Sequence, residues 1–144
     1  MFVMVRDGKL PGVPPAQLSF AHVAEVVSAH IAAADRGTNG GQYILAGENR
    51  SMLDLVTEIS LLLGKPAPKG EMPAWLLKIV AYVGDVLSNF TGKEPAITPE
   101  IANGLGGSFT VTSAKAQKEL GYKVVPLKVM VKDCYDWMKA EGRI

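Results

Sequence analysis

With 144 residues, 48% of them hydrophobic and 20% charged, the chain is long enough to bury a core and too apolar to stay disordered. A formal net charge of +1 gives no basic footprint for nucleic acid. A single cysteine, Cys134, excludes an internal disulfide and a cysteine-rich zinc site, and His22 and His30 do not stand at ligand spacing.

Met1 to Val5 is a short apolar run that reads as the end of a helix, and Arg6 to Pro15 is turn-rich. Leu18–His22 is expected to be a strand. Val23, Val26, Val27, His30, Ile31 and Ala34 then recur at helical spacing until Gly37. That spacing predicts a helix burying this face, with His30 as a core histidine that has one nitrogen satisfied. Asn39-Gly40-Gly41 turns the chain into a strand over Gln42–Ala46. Ser51 and Asp54 spell a capping box for a helix whose buried stripe is Met52, Leu55, Val56, Ile59, Leu62 and Leu63, ended by Gly64 and Pro66.

Lys65 to Met72 reads as extended, and Pro73 opens a helix to about Phe90 that is apolar almost all round. Lys78 and Asp85 interrupt it, and the run is too short for a membrane span, so it is either sandwiched in a core or offers a face to a partner or ligand. Thr98-Pro99-Glu100 opens another short helix, closed by Gly104, Gly106 and Gly107. Phe109 and Val111 alternate with hydroxyl residues as a strand. Thr112 or Ser113 then caps a helix over Ala114–Leu120, Gly121 stops it, and Leu120 and Tyr122 close an apolar contact across the stop. Pro126 precedes a last helix with the stripe Leu127, Met130, Val131, Cys134 and Trp137 or Met138, stopped at Gly142. The sequons at Asn49 and Asn89 follow nothing that resembles a signal peptide and read as chance, so the cytoplasm is the expected compartment.

Strand, cap, short helix and glycine stop over Ser108–Tyr122 resemble the S-K-A-x-x-E-L-G-Y segment of extended short-chain dehydrogenase/reductases. The likeness is greatest to the branch of dihydroflavonol reductases, sterol dehydrogenases and sugar epimerases. Leu18–Val23 is similar to that family's strand-to-helix junction, although Ala24-Glu25 stands where the family has a capping Asp. Gly41–Glu48 is similar to its G-x-x-Y-x-L-x-G-E strand. Thr91–Pro95, Ile97-Thr98, Asp136-Trp137 and Gly142 also fit. The resemblance runs over nearly the whole chain but matches only the later portion of the family's fold. It implies an α/β class, mostly helical with a few short strands: a carboxyl-terminal, substrate-side lobe of a Rossmann-type reductase, residues 1–144 as one domain, with the nucleotide-binding half absent.

Such an enzyme needs a glycine-rich turn from strand to helix and a tyrosine four residues before a lysine. Gly104-Leu105-Gly106-Gly107 runs from helix to strand, so no helix N-terminus would face a phosphate. Tyr135 and Lys139 have the right spelling but follow the family's closing signature, and read as an ordinary i, i+4 pair on a helix. The chain is therefore expected to have no catalytic, cofactor-binding or metal residues of its own, with NAD or NADP belonging to a full-length parent. A substrate cleft is expected along Arg6, Lys9, Tyr82 and Phe90. Expected partners are a second copy or the missing nucleotide-binding half, and a small apolar ligand. The alternative from another class is a stand-alone ligand-binding or protein-interaction module derived from that lobe.

Overall fold

A computed structural model of the protein describes residues 1–10, 12–73, 75, 76, 78, 79, 81–84 and 110–144. Within them run helix α1 (Phe2–Arg6), strand β1 (Gln17–Phe20), helix α2 (Val23–Arg36), strand β2 (Glu48–Ser51), and helices α3 (Met52–Leu62), α4 (Ala114–Leu120) and α5 (Leu127–Ala140). β1 and β2 pair as a two-stranded sheet. The chain divides into two compact units, Met1–Gln17 with Ser51–Ser108 and Leu18–Arg50 with Phe109–Ile144.

In the first unit, α3 starts on the expected capping box. The Asp54 amide donates to Ser51 Oγ at 3.0 Å and the Ser51 amide donates to the Asp54 carboxylate at 3.1 Å, which satisfies two groups that a helix start leaves orphaned. Val56, Ile59 and Ser60 are the buried residues of α3, and α1 packs on it through Phe2 and Val5. Ser60 is tolerated there because its hydroxyl donates back to the Val56 carbonyl at 2.8 Å. Trp75, Leu76, Lys78, Ile79 and residues 81–84 are helical as expected, with Ala81 buried.

The second unit is built on Ala29, Ala116, Leu120 and Tyr122, with Val26, Ala32, Ala33, Tyr43 and Leu45 packed around them. Gly121, at φ 73°, takes the left-handed conformation that ends α4 and turns Leu120 and Tyr122 into the same core. The Arg36 guanidinium donates to the Leu120 carbonyl, occupying one of the acceptors that the end of α4 would otherwise leave bare. At the start of α5, Pro126 has no side-chain oxygen to offer. The Glu48 carboxylate on β2 accepts the Leu127 amide instead, at 2.6 Å.

Several expectations are corrected. Gln42–Ala46 is not a strand: β2 lies instead at Glu48–Ser51, and among the described residues no backbone amide of 42–46 has a ladder partner. Its contacts are side-chain ones, Lys115 Nζ to the Gln42 carbonyl at 3.2 Å and Tyr122 Oη to the Leu45 carbonyl at 3.5 Å. The strand expected around Phe109 and Val111 is likewise not formed at Thr110 and Val111, where Val111 pairs with the side-chain amide of Asn49, at 3.0 and 3.4 Å, rather than with a backbone. Ser113 does sit at the start of α4, but its hydroxyl accepts from Gln117, and the Ala114 amide bonds Thr112 at 3.4 Å.

On α2 most of the apolar face foreseen is exposed, and of its residues Val26 alone packs on the core. Ala29 is buried, while Val23, Val27, His30 and Ile31 face out. His30 is therefore no core residue, although one nitrogen is satisfied by the Val26 carbonyl at 2.7 Å. On α5 the buried line is Leu127 and Val131 with Tyr135 and Met138 half-buried, so Cys134 and Trp137 lie on the exposed side. The readings at Phe109, at Thr98–Glu100 and at the glycines 104, 106 and 107 lie outside the described residues.

Candidate functional site

The first unit holds a cavity of about 630 Å³, within the range typical of small-molecule sites. Three pieces of chain build it. The last turn of α1 delivers Val5 and Arg6, followed by Asp7, Leu10, Gly12 and Val13; α3 contributes Val56 and Ser60; Lys65 to Leu76 supplies the far wall, with prolines 66, 68 and 73. Gly64, at φ 62°, turns the chain out of α3, and the Lys65 amide still reaches the Ser60 carbonyl at 2.9 Å. The far wall is pinned by the Met72 amide donating to the Val13 carbonyl at 2.7 Å. A side chain at Gly12 would overlap the Met72 methyl, so glycine there lets Met72 lie against the loop.

The lining is mostly apolar and its charges balance: Arg6 and Lys65 against Asp7 and Glu71. Arg6 is not a free anion receptor, since its Nε donates to Asp7 Oδ1 at 2.8 Å. That bond holds the Asp7 carboxyl below the ordinary carboxylate range and raises the Arg6 guanidinium above its own. Lys9 Nζ stands 3.6 Å from the other Asp7 oxygen and is not among the lining residues. Of the expected cleft residues, Arg6 lines the cavity. Tyr82 is exposed and is not part of the lining, and Phe90 lies outside the described residues. The wall from Lys65 to Met72 was not anticipated as part of a site, because the Met72–Val13 backbone bond that brings it there has no side-chain signature.

Tyr135 and Lys139 occupy neighbouring turns of α5, Tyr135 half-buried and Lys139 exposed. Among the described residues no cluster of three or more metal-ligating side chains occurs, and no helix is long and apolar enough to cross a membrane. Tyr135→Phe is expected to leave ligand titrations unchanged and to shift stability by less than about 1 kcal/mol, as measured by denaturant unfolding. A folded variant that lost ligand binding would restore a chemical role to the pair.

The chain is 27% identical to a putative dihydroflavonol 4-reductase of Synechocystis, over 94% of its own length and 41% of the relative's. The solved protein gox2253 is 33% identical over 100% of this chain and 44% of its own, with a TM-score of 0.76. A nucleoside-diphosphate-sugar epimerase from Pseudomonas aeruginosa is 26% identical over 99% and 42%, with a TM-score of 0.70. The chain is similar to the carboxyl-terminal portion of an extended short-chain dehydrogenase/reductase. It spans about two-fifths of the length of the extended reductases and epimerases it matches. A more distant fold match, WbmF of Bordetella bronchiseptica, was solved in complex with NAD+; it is 23% identical over 98% of this chain and 35% of its own, with a TM-score of 0.63. No family model matches the chain.

Proposed function

We propose that residues 1–144 form one substrate-side lobe of an NAD(P)-dependent epimerase/reductase-like protein, not catalytically complete as they stand. The observation that carries this reading is the apolar, charge-balanced cavity between α1, α3 and the Lys65–Leu76 wall, in a chain that aligns with reductases and epimerases over about two-fifths of their length. A ligand with a nucleoside diphosphate would meet two carboxylates, one already-paired arginine and Lys65 there. A small apolar ligand would meet Val5, Val13, Val56, Met72 and Leu76. Arg6 borders this substrate cleft, with Lys9 at its rim through Asp7. NAD or NADP would be held by a nucleotide-binding half outside this chain, and the protein works in the cytoplasm.

Calorimetric titration tests the assignment. NAD, NADH, NADP and NADPH should each give no saturable heat up to millimolar concentration; micromolar binding of any one would place a cofactor site in this chain and overturn it. The exposed apolar face of Trp75, Ile79, Tyr82 and Val83 favours a second reading, a stand-alone ligand-binding or interaction module. In either reading the uncovered apolar surface takes a partner: the nucleotide-binding half, or a second copy.

A further inference from the structure

Met72 lies against the loop after α1, where its methyl group occupies the space that a β-carbon on Gly12 would need. Only that tip is in the way: a β-carbon at Gly12 would overlap the methyl but stand 3.4 Å from the Met72 Cβ and Sδ, an ordinary contact distance. The Met72 backbone is held. Its amide donates to the Val13 carbonyl at 2.7 Å, and Pro73 confines the residue before it to extended backbone. The side chain is the part left to adjust, an unbranched thioether of the kind that fills irregular gaps. It is half-buried and lines the cavity together with the buried Val5, Val13 and Val56. We infer that Met72, seated on Gly12, sets the bulk of the apolar ligand that the cavity admits, a role that rests on the cavity being a substrate cleft.

The distribution of charge favours selection by shape. Arg6, Asp7, Lys65 and Glu71 are all exposed, whereas the buried lining residues are Val5, Val13, Val56 and Ser60. The Ser60 hydroxyl already donates to the Val56 carbonyl. In an apolar pocket one methylene group more or less changes binding by roughly 10–200-fold. The position of a single thioether methyl therefore decides between ligands that differ by a ring. Glycine at position 12 gives that methyl its seat on the wall. Any side chain there unseats it, and the open space beside Met72 is the cavity.

The probes are phenol, 2-naphthol and 9-phenanthrol, uncharged at neutral pH and graded in size. Binding is read by calorimetry and by the Met72 methyl resonance in methionine-methyl-labelled protein, with circular dichroism to establish that each variant is folded. In the unaltered chain 2-naphthol is expected to bind and to shift that resonance. Gly12→Ala should weaken 2-naphthol by about tenfold or more while phenol changes by less than about threefold. Met72→Ala should bind 9-phenanthrol about tenfold more tightly than the unaltered chain does; Met72→Val, which suits extended backbone, takes its place if Met72→Ala unfolds. The double variant separates the tip from the glycine: once the thioether is gone, Gly12→Ala should have no further effect on any probe. The proposal is overturned if removing the Met72 side chain leaves 9-phenanthrol binding unchanged, or if Gly12→Ala weakens 2-naphthol equally with and without that side chain. Either result leaves the substrate cleft standing. If no probe both binds the unaltered chain and moves the Met72 methyl, the cavity is no apolar ligand site, and the cleft falls together with the proposal.

Discussion

Gly47→Ala is expected to cost the second unit more than about 3 kcal/mol, beyond the usual range for an added methyl group in a packed interior. A β-carbon at Gly47 would overlap the carbonyl oxygen and carbon of Phe20 and come within 2.7 Å of the Ala21 Cα. These are backbone atoms, which cannot swing aside as a side-chain tip can. The two segments would have to separate, breaking the bond from the Gly47 amide to Ser19 Oγ at 3.0 Å and loosening the approach into β2. Glu48, next in sequence, would carry its carboxylate away from the start of α5. Gly121→Ala gives the comparison: it meets only the tip of Arg36 at 3.2 Å and suffers from its positive φ, at about 1 kcal/mol. Denaturant unfolding ranks the two. A Gly47→Ala protein within 1 kcal/mol of the parent would show that β1 and the residue before β2 do not approach as closely as described.

Gly47 also marks where the sequence was legible and where it was not. Signals that act within a few residues were readable: the Ser51–Asp54 capping box, the left-handed glycine after α4, the proline before α5. The capping box and the glycine stop satisfy orphaned helix groups with atoms a turn away, and the proline presets the backbone entering α5, so none of the three signals needs tertiary information to be read. Strands are different, because a ladder needs a second backbone. Tyr43, Ile44 and Leu45 alternate as a strand should, and Tyr43 and Leu45 do face the core while Ile44 points out. Among the described residues, however, nothing pairs with their amides. The pairing falls instead on Glu-Asn-Arg-Ser, which has little strand character of its own and is held by β1. Helical periodicity gave α2 its length but not its inward side. Alanines at 29, 32 and 33 permit close packing on α4, leaving the larger valines and Ile31 outside. The cavity was legible only at Arg6, since its far wall is brought to Val13 by a backbone bond that no side-chain pattern announces.

Ile59→Ala is expected to destabilise the first unit by about 2–5 kcal/mol, the range for truncating a buried isoleucine. Ile59 is 1% exposed on the side of α3 that packs under α1, beside Val56 at 1% and Ser60 at 1%. The surrounding structure has little freedom to collapse into the vacated space. The Ser60 hydroxyl is bonded to the Val56 carbonyl, the next turn is tied by the Lys65 amide to the Ser60 carbonyl, and the helix start is fixed by its capping box. The upper part of the range follows from that rigidity. Leu61→Ala, two residues on but 65% exposed, should change stability by less than about 0.5 kcal/mol. Hydrogen exchange gives the decisive reading, because Val56 and Ser60 both line the cavity. Amides of α1 and α3 should lose protection together, and any ligand held against Val56 should bind more weakly, while amides of α4 and α5 keep their protection. If α4 and α5 lose protection to the same extent, the two units melt as one, and the cavity cannot be loosened without unfolding the whole chain.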